Sequence, residues 1–289
     1  MDLQFIIQIT INGILMGGLY SLISTGLTLI FGVLKIINFA HGEFLMIGMY
    51  FYYWMNTLLG IPFYILLILT PVFLFLVSIL IYITTIKHVL NTSQLNQLLL
   101  TGGLMMVLQN LAVMLWSSDY RSCPFSFGVY KVCGINIPTM RLFAFILSLA
   151  ASLTFFMLLK KTDVGRAIRA TAENKEAASL IGINSEKIFL ITFGLGAAMV
   201  GVASALAAPL FWIYPTVGQQ FGLLAFVIVV LGGLGNFYGA LMGSFIIGLA
   251  EAWGSVLIAA EYQQFVPFCI FVLILIFLPE GIAGLRRVK

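Results

Sequence analysis

Charge is what this sequence has least of. Only 8% of its 289 residues are Asp, Glu, Lys or Arg, while 62% are hydrophobic. A soluble domain carries roughly a quarter charged residues. The 14 basic and 10 acidic side chains are too few to cover a water-facing surface of this size, which excludes an ordinary soluble enzyme or binding domain. Histidine and cysteine are also scarce, at 2 and 3 residues. Cys123, Cys133 and Cys269 show no metal-ligand spacing, so no metal site is expected. There is no phosphate loop of the form GxxxxGK followed by Ser or Thr, and no nucleophile–base constellation that would make a catalytic residue of any side chain. The N-terminus Met1-Asp2-Leu3-Gln4 lacks the basic start and the small-residue cleavage site of a signal peptide. The net charge of +4 comes from short basic clusters between apolar runs, a pattern that encodes membrane topology rather than nucleic-acid binding.

What is abundant is apolar length. A spanning helix needs about 20 predominantly apolar residues. Such runs occur at 4–33, 36–57, 62–86, 95–117, 139–159, 187–209, 221–234, 236–257 and 263–279. The run 221–234 is short for a full crossing and reads as a half-helix or re-entrant segment. The expectation is therefore an all-α, polytopic membrane bundle of eight or nine spans forming a single domain over 1–289. Basic residues favour the cytoplasmic side. The stretch 162–187, flanked by Lys160 and Lys161 and carrying Arg166, Arg169, Lys175 and Lys187, is placed there, as is the tail Arg286-Arg287-Val288-Lys289. The N-terminus and residues 118–138 then fall outside, although Arg121, Lys131 and Arg141 run against that assignment.

Two stretches, Asn38–Gly48 and Asn236–Gly248, look alike and read either as an internal repeat or as two glycine-rich apolar helices. Gly13 and Gly17, and Gly235, Gly239 and Gly243, recur four apart. That spacing lets helix backbones approach closely in lipid.

The segment 162–187 is long enough to hold a helix outside the bilayer. Glu173–Ile181 is rich in good helix formers, and Gly182 is placed to end that helix. Within it, Glu176-Ala177-Ala178, three further residues and Gly182 resemble the coupling-loop motif of ABC importer permeases. The surroundings extend the likeness. Gly26-Leu27-Thr28-Leu29-Ile30-Phe31-Gly32-Val33, Ile37-Asn38-Phe39-Ala40-His41-Gly42-Glu43, Gly165-Arg166-Ala167, Leu180-Ile181-Gly182-Ile183-Asn184, Val230-Leu231-Gly232-Gly233-Leu234-Gly235 and Leu278-Pro279-Glu280-Gly281-Ile282 together resemble the branched-chain amino acid (leucine/isoleucine/valine) permease family. The fit is to the first of that system's two related permeases.

The resemblance implies a bacterial inner-membrane permease that pairs with a second related permease or a second copy, and works with two cytoplasmic ATPases and a periplasmic or lipid-anchored binding protein. ATP and Mg would be bound by the ATPases and no cofactor by this chain. Glu176, Ala177, Ala178, Gly182, Arg166 and Arg169 would couple ATP hydrolysis to transport. Branched-chain or other apolar amino acids are the implied cargo, with urea, short amides or simple sugars carried by close relatives. A passive channel or secondary carrier would leave the long loop without a purpose.

Inside the apolar runs a few polar residues stand out as candidates for the pathway or its gates. Glu251 lies roughly 22 Å beyond the turn at Asn236 if that run is helical. It reads either as a cavity-facing partner for a substrate ammonium or as a hydrogen-bonded acid between helices. His41 and Glu43 follow Lys35 and are expected near the inner mouth, pointing in different directions. Asn38 and Asn236 read as helix caps or gate residues. Cys123 and Cys133 share the outer stretch, either as a disulfide or as two thiols.

Overall fold

In lipid, backbone N–H and C=O groups have no solvent partner, so the apolar runs close their hydrogen bonds internally as helices. The computed structural model describes residues 3–123, 125, 128–132, 134–258, 263, 265–278 and 281–282. Its helices are α1 Leu3–Leu34, α2 His41–Leu59, α3 Phe63–Ile81, α4 Lys87–Val89, α5 Gln94–Trp116, α6 Thr139–Lys161, α7 Asp163–Glu173, α8 Lys175–Leu180, α9 Ser185–Ala207, α10 Val217–Gly232, α11 Phe237–Leu257 and α12 Phe265–Phe277. A π-helical turn at Tyr82–Ile86 joins α3 to α4, making one rod from Phe63 to Val89. Among the described residues six helices are long and apolar enough to cross a membrane, and α10 and α12 are shorter apolar helices.

α1 is the centre of the bundle. It packs against α6, α9, α10 and α11, while α9 reaches on to α2 and α3. α1 and α11 run antiparallel: Gly13 lies against Gly248 and Leu249, Gly17 against Ser244 and Phe245, and Gly32 against Gly235.

Loop contacts sort the chain ends of the helices into two sets. Gln8 Nε2 donates to the Asn136 carbonyl at 2.7 Å and Asn136 N–H donates back to Gln8 Oε1 at 2.8 Å. Arg121 and Ile213 exchange backbone hydrogen bonds of 2.9 and 2.8 Å. The start of α1 and the segments around 121, 136 and 213 therefore share one end of the bundle. At the other end Lys87 is ion-paired with Glu186 at 3.0 Å, and Gly235 touches Gly32.

Three expectations are corrected. First, the bundle is not purely α-helical. β1 Val129–Val132 and β2 Ile135–Pro138 form an antiparallel hairpin with Val129 opposite Pro138 and Lys131 opposite Asn136. Second, the loop holds two helices where one was expected: α8 is the helix read over 173–181, and α7 precedes it. Asn174 is extended (φ −151°, ψ 106°) and its side chain accepts from Ala177 N–H at 3.0 Å, so it ends α7 and caps α8. Third, α2 does not start at the mouth of the bundle. Lys35 takes a left-handed conformation (φ 59°) after α1, and 35–40 turns back alongside it. His41 Nε2 then lies 3.0 Å from the Ile23 carbonyl, roughly 16 Å up α1 from Leu34. His41 and Glu43 are thus in the interior of the bundle. Non-helical backbone at that depth is tolerated only inside protein, and Ile36, Asn38 and Ala40 are all buried.

Candidate functional site

Two places gather the polar residues singled out in the sequence, and a third carries the exposed loop. At the interior start of α2, the Ile23 carbonyl can only accept, so His41 Nε2 carries the proton in their hydrogen bond. Glu43 is fully buried and its Oε1 accepts from Gln109 Nε2 of α5 at 2.9 Å. The two side chains have separate partners and form no pair. Between them Gly42 presses on α10: a Cβ there would lie 2.1 Å from the Gly218 carbonyl oxygen and 2.8 Å from Gly222 Cα. Two helix starts, α2 and α10, thereby meet backbone to backbone inside the bundle. Asn38 is no helix cap. Its Oδ1 accepts from Ala40 N–H at 3.1 Å within the returning segment. Asn236 is a cap, accepting from Gly239 N–H at 3.0 Å at the start of α11.

The second place surrounds Glu251, which is buried and accepts two hydrogen bonds. Tyr20 O–H donates to Oε2 at 2.5 Å and Gln263 Nε2 donates to Oε1 at 2.9 Å. The carboxylate therefore ties α1 to α11 and also lines a cavity of 320 Å³. It is thus a hydrogen-bonded acid between helices that also faces a cavity. Asn12, Arg141, Gln220 and Phe221 line the same cavity. Sequence reasoning missed Tyr20, Gln220 and Gln263, and took Arg141 only as a topology signal. A cation at the start of a long apolar run was the available clue.

The third is the loop helix pair. Thr162 caps α7 by accepting from Gly165 N–H at 3.0 Å, and Gly165, Ile168 and Thr171 seat α7 on the bundle. Arg166 pairs with Asp163, and Arg169 donates to the Leu159 carbonyl, so both are engaged at home. α8 ends in a Schellman turn: Ile183 N–H donates to the Ala178 carbonyl and Gly182 N–H to the Ser179 carbonyl, each at 3.1 Å. Gly182 has φ +87°, the left-handed conformation the turn requires. Glu176 and Ala177 are exposed, but Ala178 is buried against the body. Beyond them Leu180 and Ile181 are 88% and 76% exposed. In the sequence this apolar pair figured only as part of the family resemblance, not as an exposed docking contact, though a Leu-Ile step before a glycine in charged surroundings was the signal.

At the opposite end, Cys123 is a free, buried thiol whose Sγ lies 3.6 Å from Asn56 Oδ1. Burial pushes its pKa up. Cys133, its suggested disulfide partner, and the basic tail lie outside the described residues. Arg121 sits 4.9 Å over the Trp54 ring and donates to the Trp116 carbonyl at 2.7 Å.

The family model described as "Branched-chain amino acid transport system / permease component" matches residues 9–275. The high-affinity branched-chain amino acid transport system permease protein LivH of Escherichia coli is 33% identical, with 99% of this chain and 97% of LivH covered. BraD of Pseudomonas aeruginosa, a permease protein of the same description, is 31% identical over 100% of this chain and 99% of its own. The ribose import permease RbsC of Haemophilus influenzae is 28% identical over 56% of this chain and 50% of RbsC. No solved structure matches.

Proposed function

Given that this chain belongs to the branched-chain amino acid transport permease family, we propose that it forms the membrane path of a bacterial ABC importer for branched-chain or other apolar amino acids. The path is driven by two cytoplasmic ATPases, is fed by a binding protein on the outer face, and is completed by a second permease subunit. The observation that carries the coupling step is the pair Leu180–Ile181, held out by a Schellman turn on a short helix whose other face is anchored by Ala178. An exposed apolar pair of this kind, on a rigid support, suits a cleft in a soluble partner. Glu176, Ala177 and Gly182 shape that element. Arg166 and Arg169 hold its base through Asp163 and Leu159.

The end of the bundle bearing Lys35, Lys87 and α7–α8 is the cytoplasmic one in this proposal, and the N-terminus and 118–138 are outside, in the inner membrane. The six long apolar helices, the shorter α10 and α12, and α2 then make nine crossings, with α2 and α10 starting inside the bundle. Two of the three cations that ran against this orientation have local contacts of their own: Arg121 is clamped over Trp54 and Arg141 faces the Glu251 cavity.

The test is the double variant Leu180→Ser/Ile181→Ser in the assembled complex. It leaves the bundle folded and strips the docking contact. The expected outcome is a permease that expresses normally but loses at least tenfold in ATPase retention and uptake. Normal retention and uptake would show that α7–α8 is a passive connector.

A further inference from the structure

The cavity beside Glu251 holds a carboxyl group and a guanidinium that do not pair with each other. Glu251 accepts from Tyr20 and Gln263, one hydrogen bond on each oxygen. A carboxylate has about four acceptor positions, so roughly half of its capacity remains. Arg141, at the outer start of α6, lines the same 320 Å³ space. Its guanidinium makes no hydrogen bond or ion pair among the described residues. Gln220 takes the Tyr214 hydroxyl at its Oε1 (3.4 Å), which leaves its amide N–H groups for the cavity. The remaining wall is mixed: Asn12 and Ser255 are polar, while Met16, Phe211 and Phe221 supply an apolar side.

Glu251 is buried and Arg141 half-buried, and an acid and a cation held apart in one cavity are complemented by a ligand that carries both an ammonium and a carboxylate. The volume falls at the lower end of the roughly 300–1,000 Å³ of small-ligand pockets, which suits a small metabolite and not an oligomer.

We propose that this cavity binds an α-amino acid as its zwitterion, with the ammonium on Glu251, the carboxylate on Arg141 and an apolar side chain against Met16, Phe211 and Phe221. The proposal rests on the importer function above and adds to it a site in the permease itself, upstream of the interior contact between Gly42 and Gly218. Specificity then has two layers. The binding protein delivers the ligand, and the permease checks that both of its charged groups are present. The aromatic and thioether wall sets no strict limit on side-chain shape, because Met and Phe surfaces adapt to different apolar groups.

Three probes separate the two charges: leucine, leucinamide, which lacks the carboxylate, and 4-methylpentanoate, which lacks the ammonium. Binding to the assembled complex in lipid nanodiscs would be followed by saturation-transfer NMR, with uptake measured in parallel. Arg141→Gln is expected to weaken leucine about tenfold or more, in keeping with loss of a charge-assisted contact, and to leave leucinamide unchanged. Glu251→Gln is expected to weaken leucine and leucinamide and to leave 4-methylpentanoate unchanged. Arg141→Lys, which keeps the charge, retains most leucine binding and answers the case in which Arg141→Gln misfolds. If leucine affinity is unchanged in folded Arg141→Gln and Glu251→Gln, or if all three probes weaken equally, the zwitterion site is overturned while leucine uptake by the wild-type complex leaves the importer function standing. A wild-type complex that takes up no amino acid from a binding protein loaded with one overturns the importer function, and the site with it.

Discussion

α1 and α5 are matched in hydropathy and opposite in surroundings. In its most apolar stretch 83% of α1 is buried inside the protein, against 11% for α5. Hydropathy distinguishes lipid from water, but protein and lipid interiors are equally apolar, so it cannot say which helix is central. The difference lies in what the small residues meet. In α1, a Cβ at Gly26 would lie 2.6 Å from the Gly196 carbonyl oxygen and one at Gly13 would lie 2.9 Å from that of Gly248. In α5, nothing stands within 4 Å of Gly102 or Gly103. Glycine in α1 makes room for a neighbouring backbone. In α5 it faces open space at the bundle's edge.

The largest effect is therefore expected from Gly26→Leu. The side chain has to displace the α9 backbone, and overpacking of this kind costs about 1–3 kcal/mol or more. Size-exclusion analysis of detergent extracts would show loss of the monodisperse permease, and a normal profile would mean that α1 is not the tight centre described here. A smaller and local effect is expected from Gly182→Val. A β-branched residue at φ +87° costs on the order of 1–2 kcal/mol, confined to the exit of α8. The permease should stay folded while its ATPases dissociate more readily, which pull-down at graded salt would read.

Gly102→Leu should change the stability of the isolated permease by no more than about 0.5 kcal/mol, as for a surface site. Thermal unfolding in detergent checks this. If the same variant loses its co-purifying second permease, α5 is where that subunit packs; if it retains the subunit, α5 faces lipid. The smallest effect belongs to Lys87→Ala. Its ion pair with Glu186 joins side chains 46% and 72% exposed, and such pairs contribute about 0–1 kcal/mol. A melting shift of several degrees would show that this end of the bundle is better shielded than its exposure implies.

Much of the bundle could be read from the chain because lipid forces each apolar run into a helix. Each of the nine runs became a helix, and Gly182 and Asn236 serve as helix stop and helix cap. What escaped depends on partners far away in sequence. The segment 35–40 is as apolar as a helix end, so nothing in its composition announces that it doubles back to Ile23. Glu251 lacked a neighbouring cation in sequence, yet Tyr20, Gln263 and the cavity shared with Arg141 come from elsewhere in the chain. The family resemblance made Ala178 a coupling residue, but the turn of α8 directs it inward and leaves Leu180 and Ile181 to face out.

The doubling back of 35–40 also constrains how the protein is made. Its irregular backbone is covered in the finished bundle by elements synthesised later: Thr101 of α5 donates to the Ile37 carbonyl at 3.1 Å, and Gly218 and Gly222 of α10 close over Gly42. Until α10 leaves the ribosome, Gly42 lacks the backbone that closes over it. Final packing of α2 is therefore expected to follow its insertion. Nascent permeases stopped before residue 217 should be membrane-embedded but protease-sensitive between Lys35 and His41, and they would depend on the quality-control machinery for their lifetime.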